Sequence, residues 1–236
     1  MLCEAFLAGA PKWATGHVFY GTAGGVLAEF KKAKAIGQPW YYIDNSYFDT
    51  HLGRYFRVTK NALQVNPDRK TSTGDRFAKL CIDVEPWRYD GIYYIIVPQS
   101  DDFMRNVIGC KHDWTADVHD ALIAFGVPDK RIKVREWTRD KAKAIAGFYE
   151  ELKTARMVIT YSSNAAITSM IKGVQAVSEA GSAHWATGSL GILNMPPLFS
   201  GAAFGHRGVL FNILADNQWT IDELKDGTAW RWLEKQ

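Results

Sequence analysis

The chain has 236 residues, and 28 Lys and Arg against 25 Asp and Glu leave a formal net charge of +3. That length can bury a sizeable core in one domain or two small ones, and so mild an excess of charge does not by itself announce a nucleic-acid partner. No apolar run reaches about 18 residues, which argues against a membrane-spanning helix; Cys3, Cys81 and Cys110, odd in number and without metal-like spacing, argue against a disulfide framework or a zinc site.

The first ten residues have no basic stretch and carry Glu4 inside an apolar run. They read as a first strand near Glu4–Leu7 rather than a signal peptide, and the expected compartment is the cytoplasm. Strands are predicted near His17–Tyr20 and Trp40–Ile43, with a helix over Gly24–Ala35 that Gly37-Gln-Pro39 stops. This order suggests a βαβ unit. Tyr55–Val58 is a further strand, and Asn66–Gly74 a polar, turn-rich loop.

Ile92–Val97 is an almost continuous apolar run, the pattern of a strand buried on both faces. After the loop Pro98–Asp102, Thr115 is predicted to cap a helix whose Val118, Ala121, Leu122 and Phe125 step by three and four. A short strand at Ile132–Val134 precedes a helix with Ala142, Ile145, Ala146, Tyr149 and Leu152 on one face. The strand Met157–Thr160, the turn Ser162-Ser163-Asn164, a helix ended by Gly173 and the run Val174–Ser178 complete a repeated β–α–β series. Such a series predicts a parallel sheet with helices on both faces and ligands at the carboxyl ends of its strands. Those ends are Gln99–Asp102, Arg135–Trp137, Ser162–Asn164 and Glu179–Ser182. The tail reads as helical over Arg207–Asn217. Thr220-Ile-Asp-Glu223 is a capping box, and a last helix turns Trp230, Leu233 and Trp232 towards the body.

Ser162, Ser163 and Asn164 place hydroxyls, an amide and unpaired N–H groups at a helix start, which favours an anion such as a phosphate; an ordinary N-cap is the alternative. Gln99 can hydrogen-bond a phosphate or a base, and Asp101 or Asp102 a sugar hydroxyl; helix capping by Ser100 or Asp101 is the alternative. Arg135 is a candidate diphosphate partner, and Glu179 and Ser182 are candidates for sugar or ribose hydroxyls; a surface ion pair or a cap is the alternative. Asp44, at a strand end beside Tyr47, is the candidate general base, against an Asx-turn; Asp49, His51 and His17 are weaker ones. Arg54, Arg57 and Lys60 form a basic cluster that can offset phosphate charge, or a solvated face. Nine Trp and ten Tyr fill a large core or line a groove that stacks on sugars or bases. Walker A, Gly-x-Gly-x-x-Gly, Asp-x-Asp and Gly-x-Ser-x-Gly elements are missing from the sequence, so no tightly bound metal or cofactor is expected.

Ile95-Ile-Val-Pro-Gln-Ser100, Val158-Ile-Thr-Tyr-Ser-Ser-Asn-Ala-Ala166 with Ile171-Lys-Gly-Val174, and Leu214–Trp230 together resemble the nucleotide-sugar half of GT-B glycosyltransferases. The nearest group is the capsule-polysaccharide type and its small phage-encoded relatives. Gln38–Asn45 and Tyr55–Asn61 look like a shortened acceptor half. Where capsule-type enzymes carry a Lys-Pro-His-Pro-like element, this chain has Lys133-Val-Arg-Glu-Trp137. The resemblance implies an α/β fold of two Rossmann-like parallel-sheet halves: an acceptor side over 1–88, a nucleotide-sugar side over 89–205, and C-terminal helices over 206–236 crossing back. It implies sugar transfer from a nucleotide-sugar, a UDP-sugar foremost, without a metal. The donor lies on Gln99, Ser100, Arg135, Ser162, Ser163, Asn164, Glu179 and Ser182. Asp44 activates the acceptor, with His17, Tyr47, Arg54, Arg57 and Lys60 around it. Small phage enzymes of this kind modify hydroxymethylated DNA bases. The basic residues Arg54, Arg57, Lys60, Arg69, Lys70 and Arg76 suit a DNA backbone, and the base must be flipped out. A 5-hydroxymethylated pyrimidine in DNA is therefore the favoured acceptor. An envelope or capsule glycan, or a non-catalytic nucleotide- or DNA-binding role, is the alternative.

Overall fold

In the computed structural model, which describes residues 1–22, 25–48, 53–66, 72–136, 140–187 and 207–235, Leu2–Ala8 is helix α1, not the strand expected at Glu4–Leu7. The reason is tertiary. Phe6 is fully buried, its ring stacks on Trp230 at 4.4 Å, and its carbonyl accepts the Trp230 indole N–H at 2.6 Å. The apolar face that makes a helix pay off is completed by residues more than two hundred positions away.

The chain divides into two units, Met1–Leu80 with Phe211–Gln236, and Cys81–Leu210. The first holds α1, β1 (His17–Tyr20), α2 (Val26–Ala35), β2 (Trp40–Asn45), β3 (Phe56–Lys60) and α3 (Asp75–Lys79). Its sheet runs β1-β2-β3-β8, with β8 (Gln218–Trp219) contributed by the tail. β1 and β2 are parallel, but β3 is antiparallel to both β2 and β8. The sheet is therefore mixed, where a parallel one was expected. Only residues 46–55 separate β2 from β3, fewer than the dozen or more that a parallel crossover needs. Alternation sends Tyr41, Ile43 and Val58 to one face, with Phe6, Trp219 and Trp230. Phe19, Trp40 and Tyr42 go to the other, with Phe30 and Ala33 of α2.

The second unit follows the α/β pattern closely. β4 (Tyr93–Val97) leads through a π-helical turn (Phe103–Ile108) and α4 (Trp114–Ala124) to β5 (Ile132–Val134). The cap of α4 is Asp113, not the expected Thr115: the Asp113 carboxylate accepts from the backbone of Thr115 and Ala116, and Thr115 is the second residue of the helix. α5 (Lys141–Leu152), β6 (Ala155–Thr160), α6 (Ala165–Ile171), β7 (Gln175–Ser178) and α7 (His184–Thr187) follow. All pairings are parallel, in the order β5-β4-β6-β7. Ile96, Met157, Ile159 and Val177 pack on Trp114, Val118 and Leu122 of α4.

Helix α8 (Arg207–Ala215) stops two residues short of the predicted end because the chain enters β8. The capping box at Thr220 is present, opening α9 (Ile221–Lys225). In α10 (Thr228–Leu233), Trp230 and Leu233 are buried, and the Trp232 indole donates to Asn217 Oδ1 at 3.2 Å. No described helix is long and apolar enough to cross a membrane.

Candidate functional site

From β4 the chain steps to β5 on one side and then returns to β6 on the other. In open parallel sheets the crevice at such a reversal, beyond the carboxyl ends of the strands, is where ligands bind. The residues standing there are those after β4 and β6. Gln99 Nε2 donates to Ser162 Oγ at 3.0 Å, tying the two loops together across the reversal. Ser100 Oγ accepts from Phe103 N, and Ser163 Oγ from Ala165 N. These two hydroxyls act as local caps in the structure as it stands. Asn164 is the residue before α6 and makes no side-chain cap bond.

A cavity of about 610 Å³ opens beside Gln99, within the range of small-molecule sites. Its wall runs along the π-helical turn and the start of α4, through Asp101, Arg105, Cys110, Lys111, His112 and Trp114. π-turns are frequent at functional sites, and this one brings Arg105 round to the cavity. The Trp114 indole N–H donates to Glu179 Oε2 at 2.5 Å, which ties the carboxyl end of β7 to the start of α4. Tyr161 packs edge-on to Trp114; burial, then the nearby Glu179 and Cys110, push its phenol pKa upwards. His112 Nδ1 is hydrogen-bonded to Asp117. Arg105 and Lys111 are exposed and form no ion pair among the described residues.

Arg135 is placed differently. Its guanidinium binds Glu151 Oε2 at 2.6 Å and the Ala144 carbonyl, over the Phe148 ring, so its charge is spent on α5. Ser182 is fully buried next to the turn that follows β7.

The acceptor-side candidates lie in the first unit and do not form one surface. Asp44 Oδ2 stands 2.5 Å from Arg57 Nη2 and accepts from the Tyr42 hydroxyl at 3.3 Å, while its Oδ1 accepts from Asn45 N. Arg57 lies over the Tyr47 ring. Burial works against its charge, but Asp44, then Tyr47 and Tyr42, outweigh that and raise its pKa. Tyr47 is itself buried, its hydroxyl accepting from Val65 N. Lys60, on the opposite face of β3, pairs with Glu234 at 2.8 Å. His17 begins β1, at the other end of the sheet from Asp44, and contacts Gln38. Arg54 is exposed, and Arg76 is bound to Glu223 at 2.6 Å. The predicted basic cluster is thus divided among ion pairs: Arg57 and Lys60 face opposite sides of one strand because they are three residues apart. Asp49, His51, Arg69 and Lys70 lie outside the described residues. Among the described residues, no group of three or more His, Cys, Asp or Glu is placed to hold a metal.

Arg105, Lys111, His112 and Trp114 were missed in sequence. The available signal was position alone: all four follow a buried parallel strand, where loops carry function.

No protein-family model matches this sequence, and no curated protein matches it significantly.

Proposed function

We propose that the protein is a nucleotide-sugar-dependent glycosyltransferase whose second unit binds the donor. The observation that carries this reading is the Gln99–Ser162 contact at the reversal of strand order, beside a cavity with cationic groups at its wall. The donor diphosphate lies against Ser162, Ser163 and the cations Arg105 and Lys111, which take the part first expected of Arg135. Glu179, held by Trp114, accepts hydrogen bonds from ribose or sugar hydroxyls. A general base, for which Asp44 of the first unit is the candidate, takes the proton of the acceptor hydroxyl. That oxygen then bonds to the anomeric carbon as the bond from carbon to the diphosphate oxygen breaks, and the cations stabilise the departing charge.

The acceptor follows from the resemblance: a 5-hydroxymethylated pyrimidine in DNA, with a glycan hydroxyl as the other outcome. The ion pairs of Arg57, Lys60 and Arg76 remove three charges from the basic surface that favoured DNA.

The test is a transfer assay read by mass spectrometry. Purified protein meets UDP-, GDP-, dTDP- and CMP-sugars with DNA containing 5-hydroxymethylcytosine or 5-hydroxymethyluracil, and with unmodified DNA. A hexose- or pentose-sized gain on the modified nucleoside alone establishes donor and acceptor. Hydrolysis or thermal stabilisation by one nucleotide-sugar without transfer keeps the donor site and moves the acceptor search to glycans. No response to any nucleotide removes the reading.

A further inference from the structure

His112 lines the cavity beside Gln99, in the loop that joins the π-helical turn to α4. That loop is held in place before any ligand arrives. Gly109 ends the turn with a left-handed φ of 81°, Cys110 N donates to Met104 O at 2.9 Å, and the Cys110 thiol donates to His112 O at 3.5 Å. The ring is held as well: Nδ1 is hydrogen-bonded to Asp117, in the first turn of α4. Nε2, at the far side of the ring, has no hydrogen-bond partner among the described residues.

Charge decides what that nitrogen meets. Arg105 and Lys111 bring two positive charges to the lining, and Asp101 and Asp113 bring two negative ones. The Asp113 oxygens are turned to the N–H groups of Thr115 and Ala116, but their charge remains. With a neutral imidazole the formal charges of the lining cancel. The diphosphate of a nucleotide-sugar is a dianion, and it is held better by a lining with a positive surplus. Such a dianion favours the charged imidazole at Nε2, as Asp117 already does at Nδ1. Arg105 and Lys111 oppose that charge until the dianion offsets them. The other titratable groups around the ring are the Cys110 thiol and Glu179, held on Trp114.

We propose that His112, positioned by Asp117, is a third phosphate contact of this cavity. Nε2 takes a proton from solvent as the diphosphate binds, and its N–H then donates a hydrogen bond to a phosphate oxygen. The proposal rests on the reading of this cavity as the donor site. A His112–Asp117 pair that only fastened the loop to α4 would touch no phosphate and take up no proton.

The test is isothermal titration of the full chain with UDP-glucose and GDP-glucose, whose diphosphate charges do not change near neutrality. Buffers of different ionisation heat count the protons taken up. The parent takes up a proton on binding, and its affinity falls as pH rises through the range in which imidazoles lose their charge, about pH 5 to 8. His112→Asn keeps an amide that can donate to Asp117 but has no Nε2. It binds about tenfold more weakly at the acid end of that range, takes up no proton and loses the pH dependence. Asp117→Asn removes the counter-charge of the imidazolium, so the fall in affinity moves to lower pH. Parent-like affinity in His112→Asn, or proton uptake that persists in it, overturns the inference. If Arg105→Ala and Lys111→Ala weaken binding and His112→Asn does not, the donor site stands and this inference alone fails. If the parent binds neither nucleotide-sugar, the donor-site reading fails and the inference with it.

Discussion

Arg57 and Asp44, thirteen residues apart, meet directly across the antiparallel register of β2 and β3, with Nη2 2.5 Å from Oδ2. The arginine side chain is only 8% exposed and the carboxylate 25%. The carboxylate proposed as a base is therefore also the counter-charge of a buried guanidinium.

Removing that carboxylate strands the charge, which costs about 3–5 kcal/mol for a buried pair. Asp44→Ala lowers the urea midpoint by an amount of that order, and Asp44→Asn, which keeps hydrogen bonds, by less. The asparagine variant is thus the proper test of chemistry. If Asp44 is the base, Asp44→Asn loses turnover by orders of magnitude while nucleotide affinity is unchanged; loss of both in proportion excludes the role.

At the strand reversal, Gln99→Ala and Ser162→Ala both remove the Gln99–Ser162 hydrogen bond, which contributes about 1 kcal/mol of stability. The sharper readout is ligand-linked. A nucleotide at a hundredfold its Kd stabilises a protein by about 2.7 kcal/mol, and a tenfold weaker site reduces that to about 1.4. Thermal shifts with UDP are expected to shrink in both variants. A full shift in both places the nucleotide elsewhere.

Glu223 links pH to stability. Burial raises its pKa, but hydrogen bonds from Arg76 and from Thr220 outweigh this and hold it below the ordinary value. A depressed folded-state pKa stabilises the fold fully above the unfolded value, about 4.3, and the contribution is lost as pH falls through the folded value. Glu223→Gln is therefore less stable than the parent at neutral pH, and the two converge in acid. Parallel curves in urea titrations from pH 7 to about pH 3 would contradict this linkage.

Gly173 has a φ of +67°, and a Cβ there would stand 1.9 Å from the carbonyl oxygen of Pro86. Backbone, not a movable side chain, blocks the space. Gly173→Ala combines left-handed strain with displacement of the strap that donates Arg88 N to Gly173 O at 2.7 Å. It is expected to cost more than 2 kcal/mol, about the upper range for strained backbone, measured as a drop in Tm.

The second unit was the more legible in sequence because its signals are local. A strand buried on both faces reads as an almost continuous apolar run, so Ile92–Val97 and Met157–Thr160 stand out, and their alternation with helices implies the parallel sheet. The Thr220–Glu223 box is local too: Glu223 N donates to Thr220 Oγ1 at 3.2 Å, and Thr220 N to Glu223 Oε2 at 2.8 Å. The carboxyl-edge residues Gln99, Ser162 and Glu179 came from the same logic.

Charge and partner choice were another matter. Arg57, Lys60, Arg76 and Arg135 are four cations in sequence, yet each meets a carboxylate brought from elsewhere: Asp44, Glu234, Glu223 and Glu151. Arg105 and Lys111, unremarkable in sequence, are the ones that reach the cavity. Helix α1 likewise depends on Trp230 and Leu224 for its apolar partner. Periodicity and caps reside in neighbouring residues and can be read along the chain. Which cations stay available to a ligand depends on which strands and helices become neighbours, and only the folded arrangement decides that.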